Sequence, residues 1–307
     1  MKPIFADFNA LTEAEHIRLT TRGSQDDLRS AGTQPGDWIW LSDGELEVGA
    51  QVATDPREIL IGIPSWETLV DFESESHSNP ASILSEFKKL LLHTPNRSRV
   101  DEHRLLTLLS VIERTPSLRS AWQPGHLSYL RACRLLALGQ LQLARCSIEE
   151  AIELDSSRSN YALIHLDILR RIDPHAALEQ ADRLVENGRA DAKILATCMI
   201  LASMYSDSLK DHELEPIRER LQNWLPRFEQ APDFDSVHAQ LRASLWISLG
   251  LLTLRLGHVE QSHDYFQLAR QLDPDDLDLQ KAERLTTYNQ DAKDFAERIH
   301  RRPLTAA

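Results

Sequence analysis

Cysteine is scarce in this 307-residue chain: Cys133, Cys146 and Cys198 are the only three, an odd number with no C-x-x-C pair. A disulfide framework or a cysteine-rich metal site is therefore not expected, and each thiol reads as a small hydrophobe in helical surroundings. Positive charge is short as well. With 34 basic against 47 acidic residues the formal net charge is −13, which disfavours a broad contact with a phosphate backbone or an anionic membrane, and no local basic patch offsets it. Long apolar runs are missing: the most apolar stretch, Ile194 to Tyr205, contains Thr197, Cys198 and Ser203 and is about half of the ~20 residues a membrane-spanning helix needs. The residues from Met1 to Asp7 lack the apolar segment of a secretory signal. Neither nucleic acid nor membrane is an expected partner, and the expected location is the cytoplasm.

Catalytic fingerprints are absent too. No H-E-x-x-H, G-x-S-x-G, G-x-x-x-x-G-K-[ST] or G-x-G-x-x-G pattern occurs. His165 and His175 flank a break, and His258 and His263 are off the i, i+4 spacing that places two metal ligands on one helical face. The pairs Asp26-Asp27 and Asp275-Asp276 read as helix-start residues, where capping and dipole effects account for them. No enzyme activity, cofactor or metal is expected.

What is present is an ordinary globular composition, 42% hydrophobic and 26% charged, long enough for two domains. The first 72 residues carry short β-branched and aromatic runs between turn residues. The clearest signal is a hairpin in Asp37 to Val48, where Asp43-Gly44 offers a positive-φ turn. Leu46 and Val48 alternate with Glu45 and Glu47, which predicts an apolar face in a core and an acidic face in water. Further strands are expected at 3–9, 16–20, around Val52 and at 58–63, with a short helix at 25–31, together making a small barrel or curled sheet. Trp38, Trp40 and Trp66 read as core more readily than as an exposed ligand platform.

Residues 73–79 are polar and form the expected linker, ending at Asn79-Pro80, a helix cap followed by a first-turn proline. Two amphipathic helices follow, one carrying Ile83, Leu84, Phe87, Leu90 and Leu91 and stopping before Pro95, the other carrying Leu105, Leu108, Leu109 and Ile112 and stopping before Pro116. From Pro124 the chain alternates helices with short breaks, a pattern that marks stacked helical hairpins.

The strongest unit runs from Leu245 to Pro274. Trp246, Leu249 and Gly250 form a W-x-x-L-G run, Gly257 stands at a turn, and Phe266, Ala269 and Pro274 follow in the second helix and at its end. In residue type and spacing this resembles the tetratricopeptide repeat (TPR) family, with Thr253 and Ser262 departing from its usual large apolar residue and alanine. A weaker unit covers Pro124 to Ser156, with Ala132, Gly139, Ala144, Ile148 and Ala151 in matching places. Between them lie two looser hairpins, Ser159–Arg171 with Pro174–Glu186 and Asp191–Tyr205 with Glu213–Phe228. The turn glycines 139 and 257 are 118 residues apart, about 16 more than three 34-residue periods, so one unit carries extra length. Glu213 to Asp233 is its expected place, and Pro226 is expected to kink or end that helix.

The resulting expectation is an α+β multidomain protein. A small β-barrel-like domain (1–72) and a linker (73–79) precede a helical hairpin adaptor (80–123), an all-α TPR-like solenoid (124–274) and a C-terminal capping helix (275–302). The resemblance implies a groove lined by the first helices of the hairpins. Carried over position by position, it holds Tyr129, Cys133, Leu136 and Ala137 early and Ile247, Leu251, Leu254 and Arg255 late, with Arg170 between. This lining is mostly apolar, unlike that of family members that clamp a C-terminal carboxylate. It suits an amphipathic helix from another protein, or filling from within by the helices at 80–93 and 101–115. The functional expectation is a non-catalytic protein–protein interaction adaptor or scaffold. The alternative is a ligand-binding or catalytic β-domain on a helical scaffold, and self-association through the solenoid edge is a third reading.

Overall fold

A computed structural model describes residues 3–9, 11–12, 14–71, 79–92, 98–206, 209 and 213–284. The protein is mostly helical with one small curled sheet near its N-terminus, and it divides into two compact units, Met1–Ile172 and Asp173–Ala307. The expected linker at 73–79 falls within the first unit, and all but Asn79 of it lies outside the described residues. The expected helix at 275–302 is helical from 277 to 284, where description ends.

The first unit opens with β1 (Ile4–Phe5), β2 (Ile17–Arg18) and α1 (Arg22–Ala31), then β3 (Trp38–Ser42), β4 (Leu46–Thr54), β5 (Leu60–Pro64) and β6 (Val70–Asp71). The sheet runs β1-β3-β4-β5-β2, with β6 sharing the β4 edge ahead of β5. Its path is open, a half-barrel. Among the described strands only β1 pairs in parallel, with β3. Ser42 pairs with Glu47, so the hairpin loop is wider than the Asp43-Gly44 pair alone. Gly44 takes φ 106°, and the Asp43 carboxylate accepts from the amides of Glu45 and Leu46. The strand expected around Val52 is the continuation of β4. Thr21 caps α1, so Asp26 and Asp27 sit inside that helix rather than at its start.

Both faces of this sheet are covered. Ile39, Leu41, Val48, Ala50 and Val52 share one core with Ile4, Ile17, Leu19 and Leu28. On the other face Trp40 joins Leu106, Ala132, Leu135 and Leu143 of the helices that follow. Trp40 is thus core, Trp38 is half-buried against it, and Trp66 is exposed. The expectation that Glu47 faces water is overturned: it is 2% exposed, because helices roof the face on which alternation places it.

Those helices are α2 (Pro80–Leu92), α3 (Arg99–Arg114), the short α4 (Pro116–Arg119), α5 (His126–Ala137), α6 (Leu141–Leu154) and α7 (Ser159–Ile172). Asn79 caps α2 through its side chain, and Ser98 with Asp101 forms a capping box on α3. Successive helices pack α2 on α3, α3 on α5 and α5 on α6, and α7 lies against both α5 and α6. The close approach of α6 to the sheet requires Gly49, where an added Cβ would lie 2.2 Å from a Leu143 methyl.

The second unit holds α8 (Pro174–Glu186), α9 (Ala192–Ser206), α10 (Glu215–Glu229), α11 (Ala239–Arg255) and α12 (Val259–Leu272). Here α9 packs against α8, α10 and α11, and α11 pairs with α12. Pro226 does not end α10, which runs on to Glu229. Asp276 caps the helix from 277 by accepting from the amides of Asp278 and Leu279. Among the described residues no helix is long and apolar enough to cross a membrane.

Candidate functional site

The residues expected to line a groove fall in both compact units. On α5, Tyr129, Cys133 and Leu136 are half-buried and Ala137 is exposed. Tyr129 stacks on Tyr161 of α7 at 4.9 Å and tilts against His126, which stacks on Trp122. Burial and the neighbouring Cys133 push the Tyr129 phenol up to about 12. The face of α5 that meets α3 is the adjacent one: Leu127 and Leu130 share a core with Phe87, Leu105, Leu108 and Leu109, and Tyr129 packs along its edge. Arg170 on α7 pairs with Asp167 at 2.5 Å.

In the second unit Ile247 and Leu254 are buried, so they serve the core, whereas Leu251 is 38% exposed. Arg255 donates to the carbonyls of Ser206 and Leu209 and so tethers the end of α9. The Ser203 hydroxyl donates to the Ser248 carbonyl at 2.7 Å, which sets α9 beside α11. Met204 of α9 and Leu251 of α11 are the large apolar side chains exposed on this pair.

A second concentration of chemistry lies in the first unit, where the sheet meets α3, α5 and α6. Arg114 of α3 donates to the Gly44 carbonyl at 3.2 Å, the Ser42 hydroxyl at 2.9 Å and Glu47 Oε2 at 2.5 Å. Arg131 of α5, 6% exposed, donates to the Ser110 hydroxyl at 3.0 Å and to Glu113 Oε2 at 2.5 Å. Its guanidinium lies 5.1 Å over the Trp40 ring. Burial works against the charge of Arg131, but Glu113, Glu47 and Glu150 more than offset it and raise its pKa. Burial pushes the Glu113 carboxyl above the ordinary carboxylate range against the attraction of Arg131.

These groups border a cavity of about 750 Å³ whose wall also includes Trp122, Leu127 and Leu154. Two polar atoms on this wall are buried without a hydrogen-bond partner, Glu47 Oε1 and Arg131 Nε. Arg131 Nη1 lies 3.9 Å from Glu47 Oε1, too far for a hydrogen bond. Leaving such atoms unsatisfied costs about 1–3 kcal/mol each.

None of these cavity residues stood out in the sequence as a site. One signal was available: Arg131 sits on α5 between Leu127, Leu130 and Leu135, and a charge on an apolar helical face demands a buried carboxylate. Which carboxylate it meets depends on the sheet, which no local pattern reveals. Among the described residues no group of histidine, cysteine and carboxylate side chains is arranged to hold a metal.

No family model matches the chain, and no curated protein is significantly similar to it.

Proposed function

We propose that this protein is a non-catalytic scaffold that binds another protein through the outward faces of its helical hairpins, which are similar to those of tetratricopeptide repeats. The observation that carries the reading is the seam between α11 and α12. Gly250 brings the helices so close that an added Cβ would lie 2.4 Å from the Phe266 ring. Trp246 stacks on Tyr265 at 5.8 Å, Ala269 is fully buried, and Gly257 turns the chain at φ 84°. Trp246, Gly250, Phe266 and Ala269 lie in this seam and Gly257 at its turn, which supports the resemblance, and α9 and α11 keep Met204 and Leu251 outward.

The partner in this reading presents an apolar helical face, since the available surface offers methionine and leucine rather than a cation cluster. The test compares proteins retained by the full chain with those retained by Met204→Glu/Leu251→Glu, two changes at exposed positions that leave the seam intact. A partner held by the parent and lost by at least about tenfold in the double variant supports the reading, since each burial is worth roughly 1.5–3 kcal/mol. A partner held equally well by both proteins, or no partner at all, would count against it.

A further inference from the structure

We propose that a cavity between α10, α11 and the start of α12 binds a small uncharged aromatic molecule carrying one N–H or O–H, whose hydrogen the backbone carbonyl of Gln222 accepts. The cavity has a volume of about 320 Å³, at the lower end of small-molecule sites. Much of its wall is apolar: Leu221 and Leu225 come from α10, and Leu249, Leu252 and Leu256 from α11 and its end. Tyr265 of α12 adds an aromatic ring, and its hydroxyl already accepts from the Gln261 amide at 3.3 Å. Arg218 and Glu229, also on the wall, are of opposite sign, Arg218 pairs with Glu215 at 3.4 Å, and His258 is exposed. The lining thus favours apolar bulk without net charge.

Pro226 gives the site a direction. A helical carbonyl points along the axis toward the residue four positions on, whose N–H it accepts. Pro226 has no N–H to give Gln222, and its ring crowds that carbonyl. Helix α10 nevertheless continues to Glu229, with the Gln230 amide donating to the Pro226 carbonyl at 3.1 Å, so the break in the ladder lies within the helix rather than at its end. Gln222 and Pro226 both line the cavity and both are exposed, which leaves the carbonyl within reach of a ligand. A molecule that donates one hydrogen bond there and lays an apolar ring on the leucines uses both features, whereas a carboxylate, which only accepts, does not. Neither Met204 nor Leu251 lines this cavity, so its occupancy is independent of a partner held at those two residues.

The test is titration calorimetry on the full chain with indole and with 1-methylindole, which keeps the rings and lacks the N–H. Saturable binding of indole is expected, with 1-methylindole about fivefold weaker, the worth of one neutral hydrogen bond. Pro226→Ala separates that bond from a steric effect of the added methyl, because alanine restores the N–H that closes the ladder on Gln222. In this variant the two compounds are expected to bind equally, and both more weakly than indole binds the parent, while the melting temperature holds or rises. Absence of saturable indole binding at millimolar concentration overturns the proposal, as does equal binding of the two compounds by the parent. So does a preference for indole that survives in Pro226→Ala, or a variant that melts below the parent, since the Gln222 carbonyl was then not open.

Discussion

At the scale of single residues, two side chains decide outcomes that ordinary propensity would get wrong. Gly250 lies inside α11, where alanine normally gains about 1 kcal/mol over glycine. Its missing Cβ is filled by the Phe266 ring, with three ring atoms within 3 Å of where a Cβ would stand, and Phe266 is 1% exposed and has no open side to move into. Overpacking of this kind costs about 1–3 kcal/mol, so Gly250→Ala is expected to lower the melting temperature by a few degrees. A rise on thermal denaturation would show that the seam is looser than described. Cys198 is the second case. Burial pushes its thiol up to about 12, and the thiolate is the reactive species. Alkylation of the native protein at pH 8 is therefore expected to spare Cys198 until denaturant is added, and mass spectrometry of the labelled peptides checks it. Both residues were legible in the sequence, Gly250 as part of a W-x-x-L-G run and Cys198 as part of the most apolar stretch. Glu47 was not: alternation along β4 assigned it correctly to the face opposite Val48, but what covers that face comes from residues more than fifty positions later.

At the scale of elements, the turns repeat one device. Gly32, Gly139, Gly188 and Gly257 all have positive φ, and at each the glycine and the residue after it donate back to the last turn of the helix. At Gly257 these bonds run to Leu254 and, from His258, to Thr253 at 2.9 Å. This is the Schellman arrangement, in which a left-handed residue satisfies carbonyls that the helix leaves open. A Cβ at Gly257 meets nothing within 4 Å, so the cost of Gly257→Ala is conformational alone, about 1–2 kcal/mol. An unchanged unfolding midpoint in urea would refute this. Helix pairing also carries a pH signature. The hydrogen bond from Arg104 of α3 holds the Glu86 carboxyl of α2 below its ordinary 4.5. Above that value Glu86 is ionised folded or unfolded and the bond contributes fully. As pH falls below it, the unfolded chain takes up a proton first and the contribution is lost. Stability is thus expected to drop on acidification below about pH 4.5, less steeply in Glu86→Gln, as acid titration of the melting temperature will show. Helices and turns were the most legible part of the chain because caps, glycines and 3.6-residue spacing are local. The exception is α10, where the penalty of Pro226 in the last turn proved insufficient to stop a helix anchored by buried Trp224 and Phe228.

At the scale of the whole molecule, the division into two compact units makes a prediction that no single residue does. The Arg131 network ties the sheet to α3 and α5 within Met1–Ile172, and no member of it belongs to the second unit. Replacing one partner of a buried ionic group leaves the others uncompensated, at a cost of about 3–5 kcal/mol. Arg131→Met keeps most of the side-chain volume over Trp40 but takes from Glu113 its 2.5 Å ion pair and leaves Glu47 to Arg114, so the first unit is expected to lose roughly that amount. If each unit unfolds about its own core, the second should not respond. Hydrogen exchange read by peptide distinguishes these cases: amides of β3, β4, α3 and α5 should exchange faster in the variant, while those of α9, α11 and α12 keep their parental rates. Uniform acceleration across both units would mean that the chain unfolds as one cooperative body. The sequence suggested a boundary near 73–79 because composition turns polar there, yet the sheet buries its second face on helices beyond that stretch. Polarity locates a connection in the chain, whereas cooperativity follows shared core, and the exchange experiment measures the latter.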